Sequence, residues 1–132
     1  MTERDMKDEY LDASANARHF QTLRFAELTI FIAVTGGLLN ALFVRTAPLP
    51  THASAIIKLT GLLGTGLLLI LEERTTLHWY NFVNRAAELE NALGFKQYSM
   101  GPRAGLASGK NAVILFFVTL LLFWLTALLL FP

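Results

Sequence analysis

Few side chains in this sequence are of the kind that do chemistry, and fewer are spaced for it. The stretch AGLASGKN, residues 104–111, approaches the phosphate-loop pattern G-x-x-x-x-G-K-[ST], in which backbone N–H groups cradle phosphates and a hydroxyl holds magnesium. Ala104 stands where the first glycine belongs and Asn111 where the hydroxyl belongs, and an apolar run follows at once. Nucleotide binding is therefore not expected, and Lys110 reads as a cationic anchor. His19, His52 and His78 are isolated, with no second histidine or carboxylate at a metal-binding spacing such as H-E-x-x-H. There is no cysteine and no G-x-S-x-G nucleophile motif. Glu72 and Glu73 are adjacent, but they close an apolar run and read as a boundary marker rather than an acid–base pair. Neither a catalytic constellation nor a cofactor or metal site is expected. The remaining polar candidates are Thr35, Asn40 and Thr60, which interrupt apolar runs. A buried amide or hydroxyl in such a run needs a hydrogen-bond partner or water, so these three could line a polar path or join helices.

The elements that would position these groups follow from distribution more than from totals. The 132 residues are 54% hydrophobic and 16% charged, against about 45–50% and about 25% for an average soluble domain. The length suits one domain, and a formal net charge of +1 gives no basic surface that would call for nucleic acid. Charges concentrate in residues 1–27 and 72–110, with long apolar runs between and after them. That segregation points to an all-α membrane protein with three transmembrane helices. The first 24 residues are too acidic for a cleaved leader, so they are expected to stay. The expected parts are a cytoplasmic amphipathic helix over 1–24, spans over 25–45 and 53–71, a cytoplasmic amphipathic helix over 72–93, a loop over 94–110 and a third span over 111–131. Residues 111–132, NAVILFFVTLLLFWLTALLLFP, carry no charge, and about 20 such residues cross a hydrocarbon core. Lys58 lies near one end of the second span, where its stem can reach the headgroups. Thr119 and Thr126, seven apart, are expected to turn the third span toward its neighbours.

Pro48 and Pro50 break the chain between the first two spans, and a short connection makes them a long antiparallel hairpin. Nine of the 11 Lys and Arg residues fall in 1–27 and 72–110, leaving Arg45 and Lys58 on the other side. By the positive-inside tendency the N-terminus is cytoplasmic and the C-terminus outside. The hairpin should continue into the cytoplasm, because both wet segments carry apolar stripes. Met6, Tyr10, Ala13, Ala17 and Phe20 step by four and three, as do Trp79, Phe82, Ala86, Leu89 and Leu93. Each is a seam of coiled-coil type, and each can cover the other. Thr2 and Asp5 suggest a capping box at the start, and Gly94 a stop at the end. Gly36 and Gly37 in the first span, and Gly61, Gly64 and Gly66 in the second, are candidate helix-packing positions, since helices in lipid approach closely only where side chains are small.

Within EERTTLHWYNFVNRAAELENALGF, residues 72–95, Trp79 and the AAELENALG of 86–94 complete an order of parts over about residues 5–95 that resembles the SLATT families of small bacterial membrane proteins. There an amphipathic helix leads into a hairpin of two spans and a cytoplasmic helix follows; the third span here is an addition to that pattern. The resemblance implies an oligomeric inner-membrane effector of bacterial defence or conflict systems, pore-forming or otherwise membrane-perturbing, in contact with lipid and answering to a cytoplasmic sensor protein. The competing expectation is a non-catalytic membrane anchor or accessory subunit, partnered by other membrane subunits.

Overall fold

The computed structural model describes residues 2–44, 49–100 and 109–130. They form three helices, α1 (Glu3–Phe43), α2 (Thr51–Leu93) and α3 (Gly109–Leu130). Pro48, Arg45, Arg103, the last residue of the expected third span and the 101–108 part of the expected loop lie outside the described residues.

Local signals account for the helix ends. The Thr2 hydroxyl accepts the Asp5 N–H at 3.2 Å and the Asp5 carboxylate accepts the Thr2 N–H at 2.9 Å, a reciprocal cap on the first turn of α1. Those bonds, the one from the Thr2 backbone foremost, hold the Asp5 carboxyl below its ordinary value. The Pro50 carbonyl receives the N–H groups of Ala53 and Ser54 at 2.9 and 3.0 Å and so opens α2. At its other end Gly94 takes φ +77°, and the Gly94 and Phe95 N–H groups both return to the Glu90 carbonyl at 2.8 and 3.1 Å. That left-handed cap strains any residue with a Cβ.

All three helices are long and apolar enough to cross a membrane: their most apolar windows reach mean hydropathies of 1.7, 1.9 and 2.8, yet only 11%, 22% and 17% of those windows is buried. The apolar side chains therefore face outward. The chain divides into two compact units, a polar one whose described residues are 2–26 and 72–100 and an apolar one whose described residues are 27–44, 49–71 and 109–130.

In the polar unit Tyr10, Ala13, Ala86 and Leu89 form a buried cluster, flanked by Met6, Leu93 and Tyr98. Ala17 is buried as well. The alanines let the two backbones approach, so the aromatic and leucine side chains can close over them. Phe20 stacks on Phe82 and on His78, each with ring centroids 5.5 Å apart. Trp79 lies apart from this cluster, with the Arg24 guanidinium 5.7 Å above its ring and Tyr80 edge-on at 4.9 Å.

In the apolar unit Phe31 packs on Phe117 at 4.6 Å, and Trp124 and Ala127 complete the buried face of α3. Two expectations are corrected here. Thr119 and Thr126 are exposed; the face of α3 turned inward carries Phe117, Trp124 and Ala127 instead. The reason is that the Thr119 hydroxyl donates to its own helix at the Leu115 carbonyl, at 2.8 Å, and needs no neighbour. Lys58, expected to reach the headgroups, is only 5% exposed, and Ser54 and Thr65 of the same helix are buried as well.

Candidate functional site

The fold brings polar side chains together in two places, and a third holds the polar candidates of the apolar runs. The first is at the C-terminal end of α2. Glu90 is fully buried. Its Oε1 accepts the N–H groups of Gln97 and Tyr98 at 2.8 and 2.9 Å, and its Oε2 accepts those of Tyr98 and Ser99, both at 2.9 Å. The Tyr10 hydroxyl of α1 donates to the same Oε1 at 3.1 Å. The Tyr98 hydroxyl in turn meets Ser14 at 3.0 Å, and Arg18 donates to that serine at 2.9 Å. Gly94 makes the sharp reversal that folds residues 95–99 back over the carboxylate. Burial pushes the Glu90 carboxyl up, but the backbone donors of Ser99, Tyr98 and Gln97 outweigh it and leave the group below its ordinary value. Burial and the bond to Glu90 push the Tyr10 phenol the other way, upward.

The second place follows the apolar run that ends at Leu71. Arg24 donates to the Glu72 Oε1 through Nε at 2.9 Å and through a terminal nitrogen at 2.7 Å, and the Thr76 hydroxyl adds a third bond at 3.2 Å. Glu72 is buried, and the guanidinium is also held over the Trp79 ring. The carboxylates of Glu72 and Glu90 are thus occupied as acceptors of structural donors. Their chemistry is positional: each ties a residue of α1 to α2.

The contrast on the surface is Arg85, which bonds Glu9 at 2.7 Å and Glu88 at 3.0 Å while all three side chains stay well exposed. Solvent screens such pairs. Replacing Arg85 with alanine is expected to leave the thermal midpoint of the helical signal unchanged. A drop of several degrees would mean that these pairs hold the unit together.

The third place is in the apolar unit. Asn40 is exposed and opens, with Gly36, Leu39, Phe43, Val44, Leu120 and Phe123, onto an apolar groove of about 520 Å³. Thr35 is buried and Thr60 exposed, so the three polar candidates do not share one environment. Of the five glycines, Gly61 lies directly under the Trp124 ring. A Cβ on Gly36, Gly37, Gly64 or Gly66 would meet nothing within 4 Å. His19 lies edge-on to the Phe20 ring and His78 stacks on it, at centroid distances of 5.7 and 5.5 Å, and His52 is in the first turn of α2. Gly109, Lys110 and Asn111 of the phosphate-loop resemblance form the first turn of α3, and the rest of that stretch lies outside the described residues.

Sequence reasoning missed Glu90 and Trp124. Glu90 had a signal: it is a charge directly beside Leu89 of the seam and four residues before a helix-ending glycine. Trp124 had one as well, being seven residues from Phe117 on a single helical face. Searches against protein-family models, curated proteins and solved structures give no match to this chain.

Proposed function

We propose that the chain is an oligomeric, multi-pass protein of the bacterial inner membrane, an effector that perturbs the bilayer when its polar helices rearrange. In this reading the three apolar stretches span the membrane, the first two as an antiparallel hairpin, with the N-terminus cytoplasmic and the C-terminus outside. The order of the pairings supports the hairpin: Tyr10 meets Glu90, Phe20 meets Phe82 and Arg24 meets Glu72. The weight of Lys and Arg in residues 1–27 and 72–110 supports the orientation.

The observation that carries the oligomer is Asn40. Its side chain is exposed beside Gly36 in an apolar groove. In hydrocarbon an unpaired amide costs several kcal/mol by order of magnitude. A second copy removes that cost, because an amide brings both donors and an acceptor and pairs with its own kind. The glycines whose added Cβ would meet none of the described residues leave room for such an approach.

The test is induced expression of the full chain in a bacterium, with membrane potential and growth as readouts. Depolarisation is expected, relieved by Asn40→Leu, which keeps the branching of the side chain and removes the amide. A polarised, growing culture with the wild-type chain located in the membrane would refute the effector reading.

One observation favours the second reading, a non-catalytic anchor or accessory subunit. Glu90 and Glu72 tie the polar unit together through buried bonds, which suits a fixed surface for a cytoplasmic sensor protein or another membrane subunit. That reading expects harmless expression and a partner that co-purifies.

A further inference from the structure

The arginines of the polar unit differ in what they hold. Arg24 is bonded to Glu72, Arg85 to Glu9 and Glu88, and Arg18 to Ser14. Arg4 and Arg74 are exposed and bond none of the described residues, and of the two Arg74 comes just after the apolar run that ends at Leu71. Leu77 follows Arg74 by one turn in the same unit and is 56% exposed, and in the sequence residues 59–71 just ahead of them carry no charge. A step of three residues keeps the arginine and the leucine on one side of the helix. An unpaired guanidinium beside an exposed leucine, just past an apolar run, suits neither plain water, which the leucine disfavours, nor hydrocarbon, which the charge disfavours. It suits the layer where acyl chains meet phosphates.

We propose that Arg74, with Leu77 beside it, docks the phosphate of an anionic phospholipid headgroup. The planar guanidinium matches two phosphate oxygens, and Leu77 packs against the upper acyl carbons. An anionic headgroup is preferred because it brings no ammonium of its own to compete for the phosphate. The inference rests on the membrane reading given above and adds a lipid class and a residue to it.

The full chain is reconstituted in vesicles of phosphatidylcholine mixed with phosphatidylglycerol, extracted in mild detergent, and the lipid retained on it is measured by native mass spectrometry. Wild type is expected to retain phosphatidylglycerol preferentially. Arg74→Gln is expected to lower that retention about five-fold, the effect of one basic residue at an anionic surface. Arg74→Lys, which keeps the charge without the planar fork, is expected to fall between. Arg85→Gln serves as the control, since that arginine is engaged by carboxylates. Helical content is recorded for each variant, so that a misfolded Arg74→Gln is recognised and Arg74→Lys decides. Equal retention by wild type and both Arg74 variants overturns the assignment while leaving the membrane reading intact. Failure of the wild-type chain to insert into vesicles overturns the membrane reading and the assignment with it.

Discussion

Replacing Glu90 with alanine is expected to release residues 95–99 from the end of α2 and to destabilise the polar unit by about 3 kcal/mol, the scale of leaving buried donors unpaired. The substitution removes the acceptor of three backbone N–H groups, those of Gln97, Tyr98 and Ser99. It also removes the better of two acceptors for Tyr10, leaving only Gln97 Oε1 at 3.3 Å. The alanine methyl cannot fill the space, and no other carboxylate of the described residues bonds these amides. Hydrogen exchange reads the outcome directly: the three amides are protected in the wild type and exchange rapidly in the variant, and chymotrypsin gains access at Phe95 and Tyr98. Glu90→Gln keeps the shape but turns one acceptor into a donor, so it should lose part of the protection. Unchanged protection in both variants would mean that Gly94 and the packing of Tyr98 hold the turn without the carboxylate.

The same group sets a pH dependence with a definite sign. The Glu90 carboxyl is held below its ordinary value of 4.5 in the folded chain, so the unfolded chain binds more protons between the two values and stability rises with pH there. Its contribution is fully present above the ordinary carboxylate value and is lost as pH falls through the lower, folded value. Protection of residues 97–99 should therefore hold steady from neutral pH down to the ordinary carboxylate range and fail only below it. Tyr10 behaves oppositely: its raised phenol contributes below the ordinary tyrosine value and loses that contribution as pH rises through the folded value.

Spacing made much of this architecture legible in advance, and geometry at single atoms did not. Three helices long and apolar enough to cross a membrane follow from runs of uncharged residues. The steps of three and four among Tyr10, Ala13 and Ala17, and between Ala86 and Leu89, put each set on one helical face, which is the face the structure buries. What periodicity cannot report is a residue that belongs to the interior for its polarity. Glu90 enters the core because the chain reverses at Gly94 and supplies amides seven to nine residues ahead of it. Thr119 defeated the inference from spacing because its hydroxyl is satisfied within its own helix. Hydropathy marks Thr119 and Asn40 as interruptions, but it does not report that the threonine hydroxyl bonds its own helix while the asparagine side chain opens onto an apolar groove.

Gly61 should show the sharpest response to a single added methyl group. A Cβ there would lie 2.6 Å from Cδ2 and 2.7 Å from Cζ2 of Trp124, well inside contact distance, and that ring is fully buried with Phe123 edge-on at 5.2 Å. The ring cannot swing away without displacing its neighbours, so Gly61→Ala is expected to cost about 2–3 kcal/mol, at the upper end of overpacking. This loss arises although alanine is worth about 1 kcal/mol more than glycine inside a helix. Unfolding in mixed micelles measures it. Trp124→Leu alone opens a cavity, but combined with Gly61→Ala it should recover part of the loss, giving a coupling energy of about 1 kcal/mol or more between the two sites. Additive losses would show that the ring and the glycine do not share the space. Gly36→Ala and Gly64→Ala supply the opposite case. Neither Cβ meets any of the described residues within 4 Å, so both should leave the monomer as stable as before or slightly more so. If either one weakens self-association in detergent while sparing the monomer, then the missing neighbour of that glycine is another copy of the chain.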